Sequence, residues 1–193
     1  MKRFLIALCL SMAAQTGAAQ QVDAVATSTT TDTAYSITPL LNPLPGVFTA
    51  GQPGMHEWKS LRKRGITTVV NLRPMKEMGG RDEAKEVRAE GMRYIEVPVF
   101  TSADLNDVNA KKLKAALNAA NGKPVLVHCA SGNRSGGLLA LMLALEDHLP
   151  AEQAIAMGKA AGMKSIESRV REVLNAPAPA AVPVAPATPE KKD

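Results

Sequence analysis

The pair of side chains in this sequence best spaced for chemistry is a thiol and a guanidinium, Cys129 and Arg134. Between them lie Ala130, Ser131, Gly132 and Asn133; His128 precedes the pair, and Ser135 and Gly136 follow it. A short apolar stretch at 125–127 reads as a buried strand and the apolar run at 138–145 as a buried helix. A tight loop between such elements gathers backbone N–H groups at a helix N-terminus and cradles an anion. Gly132 lets that loop turn without a Cβ clash. Arg134 can hold two equatorial oxygens of a phosphate in a bidentate fork. The same donors favour thiolate over thiol at Cys129, as in sites where thiol pKa values fall to about 3.5–7.5. His128 and the Ser135 hydroxyl can hydrogen-bond within the loop or to the sulfur. The result is a nucleophile beneath an oxyanion site. A lone cysteine after a strand also suits a small buried hydrophobe. The His, Gly and Arg at these offsets favour the reactive reading.

Those residues need a scaffold, and the sequence alternates strand and helix signals. Strands are expected at 47–50, 67–72, 93–99 and 125–128. Helices are expected at 55–64, 80–90 (a charged surface helix), 104–120, 138–145, 151–161 and 165–174. The alternation implies βαβ units, hence an α/β fold. The expected core is a parallel-dominated sheet of four or five strands with helices on both faces. Strand 125–128, short and continuously apolar until His128, should be central. Ligands bind beyond the carboxyl ends of such strands, which is where the Cys129 loop falls.

The ends of the chain read differently. Lys2 and Arg3, an apolar run, and Gly17, Ala18 and Ala19 form the layout of a signal peptide over residues 1–19. Its apolar run is too short to span a bilayer, so no stable membrane insertion is expected after removal. Residues 20–36 read as a flexible leader and residues 176–193, rich in Pro and Ala, as an extended tail. The globular domain is expected over residues 37–175, periplasmic or secreted. Loss of Lys2 and Arg3 lowers the net charge from +5 to +3 and leaves one cysteine, so Cys129 has no internal disulfide partner. Aromatic residues are only 3%, and no concentrated basic stripe is visible along the chain, which argues against nucleic acid as a partner. The histidines and the remaining cysteine lack metal-site spacing, so no metal or cofactor is expected.

The loop resembles the His-Cys-x-x-Gly-x-x-Arg-Ser/Thr signature of cysteine-dependent protein tyrosine and dual-specificity phosphatases. The resemblance continues upstream through residues 48–53, 65–74 and 94–99. Together these are similar to a bacterial branch, the beta-lactamase-hydrolase-like phosphatases, over most of the ordered domain. The resemblance implies Cys129 as nucleophile, a cysteinyl-phosphate intermediate, Arg134 as phosphate binder and no metal. The implied partner is a phosphorylated protein or small molecule, with Ala130, Ser131, Gly132, Asn133 and Ser135 at the substrate. The loop departs from the common spacing: four residues rather than five separate Cys from Arg. That length is also similar to rhodanese loops, which carry sulfur as a persulfide. A sulfurtransferase and a non-catalytic phosphate-binding module are therefore the alternatives.

The resemblance also implies a general acid on an upstream loop, for which Asp104 is the candidate. An N-cap for the following helix explains Asp104 equally well. Arg73, at a strand's carboxyl end, supports the cradle or contacts substrate, or else pairs with Glu77 or Asp82. Gln52 is a weaker candidate of the same kind. His56 reads as a surface residue, His148 as a helix-end cation.

Overall fold

The computed structural model describes residues 38–175. The expected signal peptide, leader and tail lie outside the described residues. The chain starts with a hairpin, β1 (Leu41–Leu44) and β2 (Val47–Ala50), turning at Gly46. Helix α1 (Trp58–Lys63) leads to β3 (Thr68–Asn71). A 3-10 turn (Met75–Glu77) and α2 (Glu83–Ala89) lead to β4 (Arg93–Glu96). A second 3-10 turn (Ser102–Asp104) and α3 (Asp107–Ala119) precede β5 (Val125–His128). Helices α4 (Asn133–Leu145), α5 (Ala151–Ala160) and α6 (Glu167–Asn175) follow.

The five strands lie in the order β1-β2-β5-β3-β4. Every pairing is parallel except β1 with β2. Strand β5 is central, as its unbroken apolar character requires, and all four of its residues are buried. Its side chains alternate between two cores. Val125 and Val127 join the core made with α3 to α6, while Leu126 joins the core with Trp58, Leu61 and Val87 of α1 and α2. Helices thus cover both faces.

Strand β1 was not anticipated, because Asn42 and Pro43 obscure its pattern; Pro is tolerated there because β1 is an edge. Helix α2 is not simply a charged surface helix: Glu83 and Val87 are buried. Helix α4 begins at Asn133, inside the loop itself, five residues before the apolar run that betrays it.

Candidate active site

The loop begins where β5 ends, on the carboxyl edge of the sheet. Gly132 has φ of +87°, a left-handed conformation that favours glycine, and its N–H donates to Cys129 Sγ at 3.1 Å. The outer edge of the loop is tied to the end of β2. The Gln52 N–H donates to the Ala130 carbonyl at 3.2 Å, and Gly51 bridges Ser131. The other flank is held by the α5–α6 connection. Asn133 Nδ2 donates to Ser165 Oγ at 2.8 Å and Asn133 Oδ1 accepts from Lys164 N–H at 2.7 Å. That connection reaches the loop because α4 and α5 cross backbone to backbone. A Cβ on Gly136 would lie 2.4 Å from the Gly158 carbonyl oxygen and 2.4 Å from Met163 N.

Cys129 is 1% exposed, so its sulfur forms the floor of the cradle. Burial pushes the thiol pKa up. The N–H groups of Ser135, Ser131 and Gly132, with the Ser135 hydroxyl, outweigh burial and hold it below its ordinary value. Arg134 forms the wall. Its Nη1 and Nη2 grip Glu77 Oε1 and Oε2 at 2.9 and 2.6 Å, and Nη1 also donates to the Val99 carbonyl at 2.8 Å. The bond to Glu77, against the opposing effect of burial and with help from the neighbouring Cys129, raises the Arg134 pKa still further. Arg134 in turn is the main cause of the lowered Glu77 pKa.

Glu77 is the end of a longer relay. Arg73 donates to the Glu77 backbone carbonyl and lies 3.5 Å from its carboxylate. Arg73 Nη1 donates to Gln52 Oε1 at 2.6 Å, and Gln52 Nε2 donates to Glu83. Arg73 and Arg134 thus meet on the same residue, Glu77.

Three expectations are corrected. His128 does not reach the loop or the sulfur. Strand alternation turns it to the opposite face of β5, where its Nε2 lies 2.9 Å from Glu83 Oε1 and its ring is tilted against Trp58. Ser135 is fully buried, so its side chain is not open to a substrate. Asp104 does not cap α3, because Asn106 does. Asp104 instead closes its own turn, accepting from the N–H groups of Phe100 and Thr101 at 2.9 Å each. That turn follows directly on Val99, whose carbonyl holds Arg134, and the Asp104 carboxylate is engaged by the turn's own N–H groups.

The sequence reading missed two carboxylates. Glu77 was noted only as a partner for Arg73. Glu83 lay unmarked in a run of charges, yet its side chain is 1% exposed. Burial pushes the Glu83 pKa up, but the His128 ring, the Gln52 amide and Arg81 bring it below the usual value. Ala130 and Ser131, both exposed, form one side of an open cleft of about 400 Å³, with Leu41, Gln52 and Lys164 also on its walls. A cysteine sulfur at the floor, a loop N–H donating to it and a clamped guanidinium suit attack on an anionic tetrahedral centre.

Residues 49–146 match the family described as Beta-lactamase hydrolase-like protein, phosphatase-like domain. The chain belongs to this family. A Beta-lactamase hydrolase-like protein from Xylella fastidiosa is 31% identical over 117 residues, covering 58% of this chain and 27% of that protein. The chain thus spans about a quarter of the length of the curated relatives it matches. Among solved structures, a DUF442 phosphatase candidate from Shewanella putrefaciens superposes with a TM-score of 0.55 at 25% identity, over 72% of this chain and 87% of that one. TpbA from P. aeruginosa, solved with phosphotyrosine, superposes at 0.52 and 15% identity, over 74% of this chain and 90% of that one. That likeness shows the fold alone. The domain is phosphatase-like, with the α/β fold of cysteine-dependent tyrosine phosphatases.

Proposed function

We propose that this protein hydrolyses phosphate monoesters through the thiolate of Cys129. The observation that carries the reading is the sulfur on the cradle floor, accepting from Gly132 N–H at 3.1 Å, with its pKa held down by loop donors. Sγ attacks phosphorus, an S–P bond forms and the ester P–O bond breaks. The departing oxygen takes a proton from Asp104 once that carboxyl has swung out of its turn. Water then attacks phosphorus and gives a proton back to the Asp104 carboxylate, the S–P bond breaks, and inorganic phosphate and the thiolate are released. Loop N–H groups and Arg134 meet the charge that builds on the equatorial oxygens. Ala130, Ser131, Gly132 and Asn133 contribute backbone N–H groups to that cradle.

The cleft beside Ala130 and Ser131 is roomy enough for the alcohol portion of an ester, phosphotyrosine included. The order of charges and small residues in positions 1–19 supports action outside the cytoplasm. N-terminal sequencing of protein from an exporting host checks this, and an intact Met1 counts against it.

The function itself is tested by a paired assay. Purified protein should release phosphate from an aryl phosphate and form no thiocyanate from thiosulfate and cyanide. Thiocyanate without phosphate release would replace phosphatase by sulfurtransferase.

A further inference from the structure

The amino ends of the strands carry a second concentration of positive charge. A cleft of about 280 Å³ opens there, with Arg62 from the end of α1, Arg93 from the start of β4 and Lys123 from the turn before β5 on its walls. Thr67 and Asn121 add polar groups, and no carboxylate lines it. Lys63 and Arg64 lie next to Arg62 in the chain, and all five cations are exposed. Among the described residues none of the five enters an ion pair. Arg93 is anchored by donating Nη1 to the Ala119 carbonyl. The sequence reading expected no concentrated basic patch. Residues 62–64, 93 and 123 are far apart in the chain, and only the fold gathers them.

Like charges around a concavity repel one another and raise the local concentration of anions. Register places this cleft away from the cradle. Thr68 pairs with both Arg93 and Val125 at one end of the strands, and Asn71 pairs with His128 at the other. The two sites are thus separated by at least the length of the strands, roughly 10–13 Å.

We propose that this end of the molecule docks on an anionic phospholipid surface. A headgroup phosphate would occupy the cleft between Arg62, Arg93 and Lys123, with Lys63 and Arg64 resting on neighbouring headgroups. The number and spread of the cations favour a surface over a single free phosphate, since Lys63 and Arg64 do not line the cleft. None of the large exposed apolar residues (Leu41, Met55, Met75, Phe100 and Val108) lines it either, so attachment is electrostatic rather than by insertion. Docked this way, the cradle faces away from the membrane and stays open.

The experiment is co-sedimentation of the purified protein with phosphatidylcholine vesicles, with and without phosphatidylglycerol. Binding should require phosphatidylglycerol and weaken steeply with added salt. The triple substitution Arg62→Glu, Arg93→Glu and Lys123→Glu should lower that binding roughly tenfold or more. The same charge change at Lys85, Lys111 and Lys112, exposed residues elsewhere, should cost much less. Turnover of a soluble aryl phosphate should survive in both triple variants, which also reports that they fold. Equal binding to neutral vesicles, or equal losses in the two variants, would overturn the proposal. So would a cleft that binds inorganic phosphate or a DNA duplex, with the same dependence on Arg62, Arg93 and Lys123, in protein that ignores the vesicles.

Discussion

At the carboxyl ends of the strands, each guanidinium is matched to a carboxylate. Arg134 and Arg73 share Glu77, and Arg81 is held by Glu86 at 2.6 Å with Glu83 at 4.0 Å. At the amino ends, Arg62, Arg93 and Lys123 line a cleft without a carboxylate. The same residue types are therefore used in two ways. A clamped guanidinium is aimed before any ligand arrives, so little reorganisation remains when charge develops. A cation without a carboxylate partner offers attraction with less aim, which suits a partner whose charges can move. The two ends should accordingly differ in their response to mutation and to salt.

The largest effect should come from Cys129. The proposed mechanism rests on the Cys129 sulfur that the Gly132 N–H meets at this end. Cys129→Ser removes it, and no base stands ready to activate a serine hydroxyl. Turnover should vanish while vanadate binding persists. In the unaltered protein, kcat/KM should rise through a pKa below the ordinary thiol value of about 8.5, because the lowered Cys129 pKa sets the acid limb. Phosphate release by Cys129→Ser would remove the thiolate mechanism.

Next in size is a matched pair of Arg→Lys substitutions, one at each end. Arg134→Lys keeps the charge but loses the fork that spans Glu77 and can grip two phosphate oxygens. Turnover should fall by about 10²-fold or more. Arg62→Lys should change vesicle binding by no more than about twofold, since a point charge serves there as well. Similar tolerance at both positions, read from steady-state kinetics and co-sedimentation, would erase the distinction between aimed and unaimed cations.

Much of the cradle end was legible in the sequence because its signals are local. Strand 125–128, the Cys129–Arg134 spacing and Gly132 fall within ten consecutive residues. What surrounds the cradle was less legible. His128 is adjacent to Cys129 in sequence yet lies on the other face of the sheet, a consequence of strand alternation that spacing to the sulfur does not report. The relay from Glu83 through Gln52 and Arg73 to Glu77 joins three stretches, at residues 52, 73–77 and 83, and only its Arg73–Glu77 step is local in sequence. The basic cleft was hidden for the same reason. The crossing at Gly136 and Gly158 was hidden too, since only the packed helices show that a Cβ has no room.

A smaller and more selective effect is expected at Asp104. Its carboxylate is held by the Phe100 and Thr101 N–H groups, so it must leave that turn to protonate a leaving group. Asp104→Asn should slow alkyl phosphates by about 10²-fold, the lower end for general acid catalysis. Activated aryl phosphates, whose leaving groups need no proton, should change little. Equal losses on both substrates, with a lowered melting temperature, would make Asp104 a turn-closing residue only.

The smallest effect on turnover, and one best read as stability, belongs to Glu83. Its carboxyl is buried, and its surroundings hold its pKa below the ordinary value of about 4.3. A group depressed in this way stabilises the folded state above its unfolded pKa, and that contribution is lost as pH falls through its folded value. Glu83→Gln removes the charge beside His128 while keeping an oxygen acceptor for Gln52. It should cost about 1–3 kcal/mol near neutral pH, the range for disturbing a buried polar contact. The gap between the variant and the unaltered protein should narrow as pH drops below the ordinary glutamate range. Urea midpoints measured across that acid range decide the matter. A gap that stays constant with pH would mean that Glu83 contributes shape and packing to α2, and that its charge does not anchor the far end of the Arg134 relay.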